Sequence, residues 1–455
     1  MTKGSEREYV LKILEDIHKK EIFANQALDD YFYVYEFDKQ QRSFISRIVY
    51  GTIENNKYID FCINAVAKIK VNKMKPTIRF ILRMSVYQLL YMDKVPSHAA
   101  INEAVKLTTK RNFFQLKGFV NGVLRSVERR SGEFEGMLDE LPMRDKLSIK
   151  YSLNWDVVGY LQKQYSDEVF EAFLQESLKR KKTCIRVNTL KTSSEELRKI
   201  LKTDCEISDG HLLDTSMYLS GYSNLTSIEG FTNGLFQVQD ESSTLVGLVA
   251  NPSKDQSIID VCAAPGGKST HIAQLLANEG KVISCDVSES KVEKINENIS
   301  RLDLSNVETM VQDASESIEA NIENFDLVIA DIPCSGLGLL RSKPDIKSNM
   351  TVAKIKSLIE LQKEIIDNVS TYVKPGGTLI YSTCTINKKE NRVQVDEFLD
   401  RHHDFDLVPI VIGDMASSED INPFLDEFIQ DGCIELMTNE KVTDGFFIAK
   451  MKRRQ

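Results

Sequence analysis

Two thiols occupy matching positions in separate stretches of this chain: Cys334 in IADIPCSGLG (329–338) and Cys384 in YSTCTINKKEN (381–391). Each follows a short apolar run and precedes small or polar residues, the pattern of a buried strand that ends in a loop. A cysteine there suits core packing, a disulfide, metal ligation or nucleophilic attack. The eight cysteines lie at 62, 184, 205, 262, 285, 334, 384 and 433 with no CxxC pair, and only six histidines accompany them. That spacing gives no metal site. The first thirty residues are charged throughout, with no apolar run ahead of a cleavage site. No stretch reaches the roughly 18 uncharged apolar residues of a membrane helix. A cytoplasmic protein with no membrane partner is expected, and stable disulfides are uncommon in that reducing compartment. Cys62, Cys184, Cys205 and Cys433 therefore read as small buried hydrophobes. For the other pair, the surroundings decide.

Those surroundings are acidic strand ends. Asp331 precedes Cys334 by three residues, and two further runs, KVISCDV and VETMVQDA, end at Asp286 and Asp313. An earlier run, IIDVCAA, passes through Cys262, Ala263, Ala264, Pro265, Gly266, Gly267 and Lys268 into a helical stretch. Glycines there let the backbone turn tightly against a ligand, and the helix start offers free N–H groups. Asp286 stands twenty residues after Gly266, the interval at which a carboxylate meets a ribose in nucleotide-binding sheets. A dinucleotide wants GxGxxG for its pyrophosphate, and AAPGGKS is not that. S-adenosylmethionine has a ribose and an adenine but no phosphate, which suits Asp286 and Asp313.

Beside such a methyl donor a thiolate has a use. C5 of cytosine is a poor nucleophile until a soft nucleophile adds at C6 and breaks the aromaticity of the ring. C5 can then attack the methyl group, and a base must remove the C5 proton before the thiol leaves. Methylation at nitrogen or oxygen needs no thiol.

The elements that position these groups follow from periodicity. Residues 1 to about 130 space their apolar residues three and four apart, as in TIRFILRMSVYQLLYM and AAINEAVKLTTK, which predicts helices. VPSH marks a helix start, and SGEFEGMLDELP reads as an acidic linker. The net charge is −9, yet residues 1–130 carry 23 Lys+Arg against 14 Asp+Glu. A basic module on an acidic chain points to a polyanion. Residues 141–235 suggest a small α+β unit, with Asp240 capping the helix that follows. From about 255, short apolar runs alternate with helical stretches such as SESKVEKINENISRL, predicting a mostly parallel sheet with helices on both faces.

The phrases VPSHAAINEAVKLTTKR and KGFVNGVLRSV resemble the helical RNA-binding module typified by NusB. DVCAAPGGKS, CDVSESKV, QDAS, ADIPCSGLG, RSKPDIK and YSTCTINKKEN resemble, in order, the motifs of the Nop2/Sun RNA 5-methylcytosine methyltransferases. Together they resemble the branch of that family that acts on bacterial small-subunit rRNA. The resemblance implies a NusB-like RNA-binding domain over 1–135, an α+β subdomain over 141–235 and a class I Rossmann-like S-adenosylmethionine-dependent methyltransferase domain over 236–455. It implies Cys384 as nucleophile and Cys334 as the group assisting release. Cys262 through Lys268 would hold the donor, Asp286 its ribose and Asp313 its adenine, with Asp331 near the methyl group and the base. Arg341 and Lys343 would meet RNA phosphate. Ala314 and Leu337 stand where Gly and Thr are frequent in the family, and neither carries a proposed role. The implied substrate is a cytosine of 16S rRNA, free or in early assembly. A tRNA substrate or a non-catalytic RNA-binding protein are the alternatives.

Overall fold

The computed structural model describes residues 4–179, 181–222, 224–438 and 444–455. Contacts divide the chain into two compact units, Met1–Leu178 with Lys343–Thr351, and Lys179–Ser342 with Val352–Gln455.

The first unit is helical. Its periodic apolar residues become a single core: helix Lys117–Arg129, for example, buries Val120, Val123, Leu124 and Val127. Helix Ser97–Lys110 starts directly after Pro96, as VPSH predicts. SGEFEGMLDELP departs from the expected linker, because Phe134–Asp139 is helical and Phe134 and Leu138 are fully buried. Phe134, Met137, Leu138 and Leu141 recur on one helical face and pack on the core, which outweighs the turn residues Gly132 and Pro142. Helices Met143–Lys150, Trp155–Leu161 and Asp167–Glu176 continue this unit. Residues 343–351 join it through Asn154, whose Nδ2 donates to the carbonyls of Ser348 and Met350 at 2.9 and 2.6 Å.

The second unit begins with a small antiparallel sheet of β1 (Thr183–Val187), β2 (Glu206–Asp209), β3 (Ser216–Ser220) and β4 (Phe236–Val238), in the order β2-β3-β1-β4. The larger sheet contains β5 (Ser257–Asp260), β6 (Lys281–Asp286), β7 (Val307–Val311), β8 (Phe325–Asp331) and β9 (Val373–Thr383), in the order β7-β6-β5-β8-β9 and all parallel. These are the five strands that the alternating pattern predicts, and the fold is the Rossmann-like one. The sheet then continues antiparallel beyond β9. There β13 (Phe446–Arg453) pairs with β9 and with β10 (Phe405–Leu407), and β12 (Cys433–Leu436) links β13 to β11 (Ile429–Gln430).

Alternate strand residues face opposite sides. Ile258, Leu327, Ile329 and Ile380 pack with Leu245 and Ile272 of helices Glu241–Ala250 and Gly267–Leu275. Ile259, Val328, Ala330 and Tyr381 pack with Ile366 and Phe398 of helices Val352–Ser370 and Arg392–Arg401. The chain direction across the sheet reverses between β5 and β8, so the carboxyl ends of these two strands frame the crevice where such sheets bind ligands.

Candidate active site

The loop leaving β5 turns sharply. Ala263 N–H donates to the Cys285 carbonyl at 2.8 Å and Gly266 N–H to the Ala263 carbonyl at 2.7 Å. Gly266 has φ +96°, where a side chain is strained, and a Cβ there would come within 3.1 Å of Ile295. Helix Gly267–Leu275 starts from that turn. Asp286, at the end of β6, steadies the loop. It accepts the Ala264 N–H at 2.9 Å and the Lys291 Nζ at 2.8 Å. Gln312 N–H donates to the Asp286 carbonyl at 2.9 Å, so the next residue, Asp313, follows the end of the strand adjacent to β6. The Ser315 hydroxyl and N–H donate to Asp313 at 2.7 and 2.9 Å and hold its carboxyl below the usual range.

Asp260, at the tip of β5, was not singled out in the sequence. It is completely buried, and burial pushes its carboxyl up to about 7 against the opposing hydrogen bond from Ser269 at 2.6 Å. Among the described residues its Oδ1 has no hydrogen-bond partner. A carboxyl group with an open acceptor, a glycine turn and two more strand-end carboxylates suit a cationic amine and a ribose. They repel a pyrophosphate. S-adenosylmethionine, a sulfonium with an amino-acid amine and a nucleoside, fits this set.

One strand over, Asp331 is held from both sides. Lys268 Nζ donates to its Oδ2 at 2.5 Å and Ser382 Oγ to its Oδ1 at 2.8 Å. Burial disfavours the Lys268 charge, but the Asp331 carboxylate more than offsets this and leaves the ammonium above its ordinary range. The donor loop and the tip of β8 are thus joined by an ion pair.

β8 and β9 run in register, Asp331 opposite Ser382, so the two cysteines emerge side by side. Cys334 Sγ lies 3.2 Å from Cys384 Sγ. The hydrogen bond with Cys384, followed by burial, pushes the Cys334 thiol well above its usual range. Behind them lies Glu390, fully buried and also unforeseen from sequence. Its carboxylate accepts Ser335 N–H at 2.7 Å, Ser335 Oγ at 2.5 Å, Asn387 Nδ2 at 2.8 Å and Gln362 Nε2 at 3.0 Å. One carboxylate therefore fixes the residues following both thiols. The acid at position 390 is visible in YSTCTINKKEN, but its partner 55 residues earlier is not. Of the four cysteines read as small buried hydrophobes, Cys62, Cys184 and Cys433 are buried, whereas Cys205 is only part-buried and its Sγ donates to the Leu201 carbonyl at 3.4 Å. Of the two residues expected to meet RNA, Lys343 is exposed, whereas Arg341 is partly buried and donates to the Lys179 carbonyl at 3.1 Å.

Residues 247–452 match the family model described as 16S rRNA methyltransferase RsmB/F, and residues 5–129 match the NusB family. A probable ribosomal RNA small subunit methyltransferase B of Bacillus subtilis (strain 168) is 34% identical over 457 residues, covering 100% of both chains. A protein of the same description from Synechocystis sp. is 30% identical over 99% of both. Among solved structures, the crystal structure of PH0851 superposes with a TM-score of 0.81 at 25% identity, covering 100% of each chain.

Proposed function

This chain belongs to the RsmB/F family of S-adenosylmethionine-dependent 16S rRNA methyltransferases, and from that premise we propose that it methylates C5 of a cytosine through a covalent adduct between Cys384 and C6. The observation that carries this reading is the 3.2 Å contact between two thiols at adjacent strand tips, beside the Lys268–Asp331 pair. S-adenosylmethionine supplies an electrophilic sulfonium methyl when bound. Asp286 and Asp313 would hold its ribose and adenine, and the turn at Cys262–Lys268 would face its amino-acid end.

The elevated Cys334 thiol gives the pair an order of events. While Cys384 carries the negative charge, Cys334 stays protonated and donates to it. When Cys384 Sγ bonds to C6, the ring takes up that electron pair and C5 becomes able to attack the methyl group. Bond formation removes the hydrogen bond and charge of Cys384, first among the causes that raise the Cys334 thiol. Once Cys334 has given up its proton to solvent it takes the C5 proton, after which the Sγ–C6 bond breaks and the C5=C6 double bond returns. Asp331, fixed by Lys268 and Ser382, lies beside these atoms as a hydrogen-bond acceptor for the base. Glu390 keeps both thiol-bearing loops in place without touching either reactant.

RNA affinity is assigned to the helical unit. Lys117, Asn121, Arg125 and Arg129 are exposed at four-residue intervals along helix Lys117–Arg129. Gly118 and Gly122 beside them leave open space, so a phosphate backbone can approach closely. No metal takes part in this reading, and the substrate is 16S rRNA free or early in assembly. Bisulfite sequencing of cellular RNA with and without the gene tests it. One 16S cytosine should lose its protection in the deletion strain. Loss of protection at a tRNA cytosine instead, or no change, would overturn the assignment.

A further inference from the structure

We propose that Cys334 and Cys384 form a reversible oxidant-modification site: a hydroperoxide closes them into a disulfide that switches methyl transfer off. The two sulfurs already touch at 3.2 Å, and both side chains are part-exposed and not sealed in the core. Their loops have little freedom to separate, because Ser335 and Asn387 share the Glu390 carboxylate and Gly338 N–H donates to the Cys384 carbonyl at 3.1 Å. A sulfur oxidised at one tip therefore meets a thiol before it meets more oxidant.

The electrons balance in two steps. The Cys384 thiolate attacks one peroxide oxygen; an S–O bond forms, the O–O bond breaks and hydroxide leaves, giving a sulfenic acid. Cys334 then attacks that sulfur; the S–S bond forms, the S–O bond breaks and water leaves with the Cys334 proton. Two thiols lose two electrons to one peroxide, and a dithiol reductant reverses the change. The other thiols are poor competitors. Burial pushes Cys62, Cys285 and Cys433 each up to about 12, and Cys184 and Cys262 well above their usual range, while partial burial and then the neighbouring Asp204 raise Cys205, which leaves little thiolate to react.

The test uses the full-length protein and hydrogen peroxide. After a stoichiometric dose and alkylation of free thiols, non-reducing digestion and mass spectrometry should find the Cys334 and Cys384 peptides joined, 2 Da lighter than their sum. Methyl transfer should fall in step with that species and return with dithiothreitol, while S-adenosylmethionine affinity stays within about 2-fold. Because the linked peptide is read by mass, it stands or falls independently of the adduct mechanism. In Cys334→Ser a doubled dose, one peroxide for each oxygen added, should carry Cys384 through the sulfenic to the sulfinic acid, 32 Da heavier, with no linked peptide. The proposal is overturned if wild-type Cys384 goes to sulfinic acid as readily as in that variant. It is equally overturned if a different cysteine pair links first, or if the linked protein methylates at the full rate.

Discussion

On the helical unit Lys117, Arg125 and Arg129 stand along one exposed helix face, each largely independent of the others. In the sheet unit Lys268, Asp331 and Glu390 are turned inward, and each is bonded to partners on other elements. The difference separates two kinds of electrostatics. Surface cations act additively, are screened by salt and can be lost one at a time. A buried network acts as a unit, because removing one member leaves several groups unsatisfied in a medium that cannot solvate them.

The sharpest break of that contrast is at Glu390. Glu390→Ala strips the acceptor from Ser335, Gln362 and Asn387, at roughly 1–3 kcal/mol for each buried donor left unmet. We expect methylation to be lost and the unfolding midpoint to fall by roughly 10 °C, with Glu390→Gln in between. A variant that melts within a degree of wild type and turns over normally would show that the thiol loops need no common anchor.

A smaller effect is expected at Asp286, where hydrogen bonds to the donor ribose are charge-assisted and worth roughly 1.5–3 kcal/mol. Asp286→Ala should weaken S-adenosylmethionine binding by about 10-fold or more in calorimetry and leave RNA binding unchanged. Equal donor affinity would remove Asp286 from the site.

At the helical surface, Lys117→Gln, Arg125→Gln and Arg129→Gln should each lower the slope of log affinity against log salt by about 0.7–0.9. Their effects should add, and donor affinity should not move. An unchanged slope in the triple variant would mean that this face is only solvated.

A pH dependence of stability is expected at Asp260. Its folded pKa, about 7, lies above the roughly 3.9 of an unfolded aspartate. Between those values the folded state binds the extra proton, so stability falls as pH rises through the window and levels off above 7. Asp260→Asn lacks that slope. The wild-type midpoint should therefore drop relative to the variant between pH 5 and pH 8, and a constant difference would mean that Asp260 ionises freely in the fold.

Much of this was legible in one sequence because the fold's signals are local. The period of apolar residues marks the helices and the five parallel strands, and a motif such as AAPGGKS carries its own turn chemistry. Asp331, Cys334 and Cys384 could be selected because each ends a readable strand. Glu390 and Asp260 could not, since their roles depend on donors brought to them by the register of distant strands. The helix at Phe134–Asp139 was masked by the glycines around it. Of the antiparallel strands after residue 404, β10, β11 and β12 were missed because they span only three, two and four residues, too few to show a period, whereas the eight-residue β13 was long enough to read and was overlooked.

The division of labour between the two thiols is the centre of this account, and one gel addresses it. Wild type, Cys334→Ala, Cys384→Ala and the double variant are incubated with S-adenosylmethionine and 16S RNA, then denatured and run with the RNA labelled. Cys334→Ala should accumulate a protein–RNA band that survives denaturation, because the adduct forms and accepts the methyl group but is released slowly. Cys384→Ala and the double variant should give no band and no methylation. A stable band from Cys384→Ala would exchange the two roles, and normal methylation by both single variants would contradict covalent catalysis altogether.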